Sequence, residues 1–243
     1  MNLGVIMMSS VTARLRSVAL AAAASAVLAV PATAAVLDFE SVSAGLYFAG
    51  ESFDQNGYRM TVLGNEFGAV DTGVGTCVGL QCPNGSSGQF YFGLNDGALG
   101  LERIDGTAFT LNGFSAAFLA ALASGDQVPS PGKLVIAGST AEGSVMQQFE
   151  FGPSDSFGEF SFKTFAPEGF VDLLSVSFAA CTYDDAGVCQ NTNFNLSQFA
   201  LDNVSVSSLS VPEPGTLPLL GIALAGLAFR MRRMNGPTPR KTR

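Results

Sequence analysis

The sequence predicts an all-β protein in which a single β-sandwich lies between two short apolar ends. Three observations predict it. Short runs that alternate, or are β-branched and aromatic, recur along the middle of the chain. Gly, Asn and Asp pairs separate them, as turns require. Of the 20 phenylalanines, 19 fall between residues 36 and 210, and rings in alternating runs need two packed faces to hide them.

Residues 1–35 read as a secretory signal. Arg14 and Arg16 form a positive start, residues 18–30 an uncharged apolar helix, and Ala32-Thr33-Ala34-Ala35 a small-residue cleavage stretch. Met7 and Met8 are alternative starts, because residues 1–6 add nothing the signal needs. The domain follows over 36–210. Strand patterns cover 36–39, 58–63, 89–92, 109–111, 114–119, 133–137, 145–151, 157–165, 171–178 and 199–206. Asn56-Gly57, Asn95-Asp96-Gly97, Asp105-Gly106, Asn112-Gly113 and Pro131-Gly132 read as turns between them. Only residues 116–123 suggest a helix, and the stretch is short. In the closing run, Phe199, Leu201, Val204 and Val206 change phase at Asp202-Asn203, which predicts a bulge there. No linker or repeat divides the domain.

Composition narrows the chemistry. Histidine is absent, which removes Ser-His-Asp and Cys-His nucleophiles and imidazole zinc sites. Residues 36–210 hold four basic residues (Arg59, Arg103, Lys133, Lys163) and 19 acidic ones, a formal charge of −15. That charge excludes a nucleic-acid partner, since phosphates are met by Lys and Arg. Motifs for nucleotide binding, serine hydrolysis and zinc proteolysis are missing. Nineteen carboxylates leave a glycan hydrolase working through a carboxylate pair as the remaining catalytic reading, although a sequence shows no separations. The chain is therefore read as a non-enzyme. Four cysteines lie in the exported part, where disulfides persist. The local pairs Cys77–Cys82 and Cys181–Cys189 are favoured, because crossed bridges need two distant loops to meet. Their x4 and x7 spacings fit a four-thiolate zinc site poorly.

The C-terminal end has three features in order: Val211-Pro212-Glu213-Pro214, an uncharged run over 217–229, and Arg230, Arg232 and Arg233. As a helix the 13-residue run reaches about 20 Å, against a hydrocarbon core of about 30 Å, so it is short for a permanent span. The arginines hold its far end in the cytoplasm, and a basic cytoplasmic tail, 234–243, follows. The three features over 211–233 resemble the PEP-CTERM sorting signal of exported bacterial proteins, although such signals usually stop soon after the arginines. The resemblance implies a transient transmembrane sorting helix and recognition by an exosortase-like transpeptidase. It also implies release to the cell surface or an extracellular polysaccharide matrix.

A second resemblance lies in the domain. Gln198, Phe199 and Asp202 match the Q-F-x-x-D closing strand of small exported β-domains found ahead of such tails. More loosely, the acidic opening Leu37-Asp38-Phe39-Glu40 and the closing Asp202-Asn203 resemble jelly-roll carbohydrate-binding modules. There the first and last strands are neighbours, and nearby carboxylates can hold a structural calcium. Glu40 and Asp202 are the candidate ligands, two of the six to eight oxygens calcium takes. Asp38 is set aside as facing away. The alternative is that these side chains only hydrogen-bond locally. Sugar stacking would fall to Tyr47, Tyr58, Tyr91 or Tyr183, which as strand residues are expected in or against the core. The leading function is a non-enzymatic surface or matrix protein associated with exopolysaccharide. A calcium-stabilised carbohydrate-binding module is the alternative.

Overall fold

A computed structural model describes residues 34–208 apart from 65–66, 74–76, 78–79, 87, 122–131, 156–158, 184–187 and 191–196, together with Gly226. The expected signal helix and sorting helix otherwise lie outside the described residues. Residues 32–209 form a compact unit of their own.

Sixteen strands make up the described part, with β1 at Ala34–Leu37, β2 at Gly45–Phe48, β3 at Ser52–Gln55 and β4 at Tyr58–Leu63. Next come β5 at Phe67–Asp71, β6 at Leu80–Gln81, β7 at Phe90–Leu94 and β8 at Ala98–Arg103. The long β9 covers Phe109–Phe118 and is followed by β10 at Ala120–Ala121, β11 at Lys133–Thr140 and β12 at Gly143–Glu150. The last four are β13 at Lys163–Phe165, β14 at Leu173–Tyr183, β15 at Cys189–Gln190 and β16 at Phe199–Ser208.

Antiparallel pairing arranges most of them in two layers. The first runs β2-β5-β7-β16-β9, and β13 lies on the far side of β9. Strand β1 pairs with the second half of β16, from Ala34↔Ser207 to Leu37↔Val204, so the first and last strands are neighbours. The second layer runs β3-β4-β8-β14-β11-β12. One pair, Leu173↔Phe109, joins the layers at a corner.

Alternation then sends one side chain in two between the layers. Val70, Tyr91, Leu201 and Ala116 form one inward row of the first layer, and Met60, Leu101 and Val176 one of the second. All belong to one buried cluster, where Phe114 meets the rings of Phe149, Phe165 and Phe178. The molecule is a β-sandwich, and the aromatic content is what fills it.

The first layer is buried on its other face as well. The outward row Ala69, Phe92, Ala200 and Ala117 belongs to a second apolar cluster with Phe90 and Leu94. Leu80, Phe162 and the Cys77–Cys82 pair cover it. Hence all five residues of β7 are buried, and the run shows no alternation in exposure. Both disulfides join the local pairs, each with Cα atoms 5.5 Å apart. The first holds its loop as a lid over Phe90. Closing so short a loop contributes about 2 kcal/mol in the chain-entropy account.

Some readings of the sequence are corrected. Asn112-Gly113 is no turn but lies inside β9, where Gly113 pairs with Ser205 beside the bulged part of β16. A Cβ there would press on the Phe165 carbonyl, so glycine marks a close approach within the sheet. Of residues 116–123, 116–118 and 120–121 are strand, not helix, and 122–123 lie outside the described residues. Among the described residues of 157–165, Lys163–Phe165 forms a strand, and Ser161 makes an isolated bridge with Asn84. The pattern reading also passed over β2, β3, β5 and β8, and the two-residue β6, β10 and β15.

Candidate functional site

The residues singled out by sequence fall into three groups. Val211, Pro212, Glu213, Pro214, Arg230, Arg232 and Arg233 lie outside the described residues. The Q-F-x-x-D residues are structural. Gln198 is buried, and its Oε1 accepts from the Asn95 N–H at 3.4 Å, holding the β7–β8 turn. Phe199 is fully buried, with its ring over Gly93, where a Cβ would strike it. Asp202 sits at the predicted bulge, where Asn203 takes φ 50° and the register against β9 shifts. Its carboxylate accepts from the Asn203 backbone at 2.7 Å and from the Asn203 side chain at 2.9 Å.

The opening carboxylates surround this bulge. Strand β1 ends at Leu37, and just beyond it Phe39 takes φ 61° and turns the chain. Gln55 and Gln89 clasp the turn that follows. The Gln55 amide donates to Asp38 Oδ1 at 2.7 Å, and the Gln89 N–H donates to Glu40 Oε1 at 2.9 Å. Both Asp38 and Glu40 act on Asp202, Asp38 more strongly. Burial chiefly, then these two negative charges, push the Asp202 carboxyl up to about 6 against the opposing Asn203 N–H. Among the described residues no three Asp, Glu, Cys or His side chains stand together as a metal site. Asp38 Oδ1, Glu40 Oε1 and both Asp202 oxygens accept the hydrogen bonds above.

Tyr58 and Tyr91 are buried, and Tyr47 packs on Phe53 with its hydroxyl donating to the Ser43 carbonyl. Tyr183 lies beneath the Lys133 ammonium.

What sequence reasoning missed is the outer face of the second layer. An open groove of about 600 Å³ crosses it, lined among others by Thr61, Gly100, Glu102, Ser139, Ser175 and Ser177. Register builds it from two adjacent outward rows. One reads Ser52, Thr61, Gly100, Ser177, Ala137, Met146, and the other Asp54, Arg59, Glu102, Ser175, Ser139, Ser144. Glycine, alanine and serine at the middle strands leave a trench, with Leu63 as an apolar wall. Glu102 is the one carboxylate among its lining residues. Arg59 stands between Glu102 and Asp54 and grips Asp54 at 2.9 and 3.0 Å. That contact holds the Asp54 carboxyl below its usual range and raises the guanidinium. A trench of hydroxyls suits an extended polar chain that both donates and accepts hydrogen bonds. The sequence signal for it was weak, since small residues at outward strand positions look like ordinary solvated surface.

Comparison with known proteins adds one firm match. Residues 210–233 match the PEP-CTERM protein-sorting motif. No curated protein matches the chain. Among solved structures, a mutant of CBM29-2, a family 29 carbohydrate-binding module, is similar at 16% identity and a TM-score of 0.29. That alignment covers 73% of this chain and 93% of the module.

Proposed function

We propose that this chain, which carries a PEP-CTERM sorting motif at residues 210–233, is a non-enzymatic protein exported by its N-terminal signal. The motif carries the reading. Its Pro212-Glu213-Pro214 segment is the feature an exosortase-like transpeptidase recognises, and the apolar run 217–229 holds the tail in the membrane until processing. Arg230, Arg232 and Arg233 keep that end on the cytoplasmic side. The β-sandwich, with two disulfides and a strongly acidic surface, then serves at the cell surface or in an extracellular polysaccharide matrix.

The test is sorting in the native host. Replacing Pro212, Glu213 and Pro214 by alanine should leave the unprocessed protein in the inner membrane. An unchanged mature mass and location would remove the proposal.

The hydroxyl-lined trench favours a second reading, in which the domain binds polysaccharide directly. Thr61, Ser139, Ser175 and Ser177 would bond sugar hydroxyls without aromatic stacking, and affinity per sugar would be low. A glycan array on the β domain should then show binding that Ser177→Leu abolishes. Equal binding by that variant would move the site elsewhere.

A further inference from the structure

The two outward rows of the trench differ in what their polar groups already do. In the first, Thr61 Oγ1 shares a hydrogen bond with Ser52 Oγ at 2.8 Å, and Ser177 Oγ donates to the Ala137 carbonyl at 3.4 Å. Leu63 leans over Gly100, where a Cβ would meet its side chain at 3.1 Å, so this lane is apolar between satisfied hydroxyls. In the second, Glu102, Ser175, Ser139 and Ser144 follow one another across β8, β14, β11 and β12. Among the described residues, none of these four side chains makes a hydrogen bond. Three strand spacings separate the ends of this free polar lane, about 14 Å, which is longer than one sugar ring. Electrostatics set one end of it apart. Glu102 is exposed and is the one carboxylate lining the trench, and none of the domain's four bases lines it. The base beside it across the sheet, Arg59, is turned to Asp54, to which it gives both Nε and Nη2.

We propose that the trench takes a polysaccharide carrying free amino groups, with a sugar ammonium on Glu102 and sugar hydroxyls on Ser175, Ser139 and Ser144. This rests on the polysaccharide reading above and adds the class of glycan to it. The argument from charge is direct. A ligand lying over the lane strips water from the Glu102 carboxylate, and a desolvated carboxylate is costly unless a cation meets it. An ammonium supplies that cation and up to three donors, whereas a carboxylate only accepts. Acidic polysaccharides are excluded, because the domain carries a formal charge of −15 and the trench offers them no base. N-acetylated chains bind more weakly, because acetylation removes the charge and leaves Glu102 without a counter-ion. The glycan lies across the strands, its polar edge on the serine lane and its apolar edge on Leu63 and Ala137.

Calorimetric titration of the full chain in non-ionic detergent micelles tests this, with a glucosamine hexamer and an N-acetylglucosamine hexamer as probes. At about pH 6 carboxylates are ionised and sugar amines protonated. The wild type should bind the deacetylated hexamer at least about fivefold more tightly. Glu102→Gln should bring the two hexamers within about twofold of each other. Glu168→Gln removes the same charge from an exposed position outside the trench and should leave the preference intact. Ser177→Leu should abolish binding of both, and Ser139→Leu repeats that block from an exposed position should Ser177→Leu misfold. Equal binding of the two hexamers by the wild type, still lost in the leucine variants, would overturn this inference and leave the trench reading standing. No binding of either hexamer, or binding that the leucine variants keep, would overturn both. Equal losses in the two glutamine variants would trace the preference to overall charge and overturn the assignment to Glu102.

Discussion

Phe114→Ala should cost the β domain about 3–5 kcal/mol, a loss large enough to lower its melting temperature by roughly 10 °C or more. Phe114 is on β9 of the first layer and is 1% exposed. Its ring meets Phe178 of β14 at 5.4 Å, Phe149 of β12 at 5.4 Å and Phe165 of β13 at 5.5 Å between centroids. It therefore ties the first layer to two strands of the second and to β13. Removing it opens a cavity that four strands border, and the register of each strand prevents collapse into it. Ring–ring contacts, worth about 0.5–1.5 kcal/mol each beyond area, are lost as well. Leu63→Ala on the outer face is the control and should change stability by less than about 1 kcal/mol. Thermal and urea unfolding followed by circular dichroism would measure both. A Phe114 variant losing no more than the control would show that another contact clamps the layers.

Lowering pH from about 7.5 to about 5 should stabilise the wild-type domain, and Asp202→Asn should remove that response. The folded-state pKa of Asp202 is raised to about 6 from an ordinary value of 3.8. The folded state therefore binds the proton more tightly than the unfolded one. This contribution is fully present below the unfolded value and is lost as pH rises through about 6. After solvent screening the swing should be about 1–2 kcal/mol. Asp54 and Asp105 are shifted downward by arginine contacts, so their linkage falls below this window. In the variant, Asn203 can turn its amide over to face the new side chain, and the variant should be the more stable protein at pH 7.5. Equal pH profiles for the two proteins would refute the assignment. Calcium added at pH 7.5 tests the two-carboxylate expectation for Glu40 and Asp202 in the same samples. A rise in melting temperature that Asp202→Asn loses would place a cation there.

Individual elements show why some of the fold was legible in the amino-acid order. Strands β4, β11 and β14 face the core on one side and water on the other, so their alternation survives in the sequence. The bulge at Asp202-Asn203 was legible for the same reason, because a phase change in an alternating strand has few other causes. Strand β7 was only partly visible, since a lid buries its outer face too. Strand β5, with Gly68 beneath the Tyr91 ring, carries a close approach where a pattern search looks for a side chain. Asp38 was set aside in the sequence, yet its charge raises the Asp202 carboxyl more than that of Glu40, a proximity between chain ends that no local pattern encodes.

The chain's own order determined its fold class and its sorting motif. Turn pairs, alternating runs and nineteen phenylalanines in one segment point to a sandwich or a barrel, because rings in alternating strands need a second packed face, and the structure is the sandwich. The sorting motif at 210–233 is likewise local in sequence, a contiguous stretch that needs no long-range pairing to be legible. Only the tertiary structure decided which surfaces are available to act. The trench exists because register brings Gly100, Ser177 and Ala137 side by side from three strands distant in the chain. Among the described residues β12 pairs only with β11, a place in the sheet that its sequence does not announce. Which residues become neighbours across a sheet depends on long-range pairing, and no local pattern encodes it.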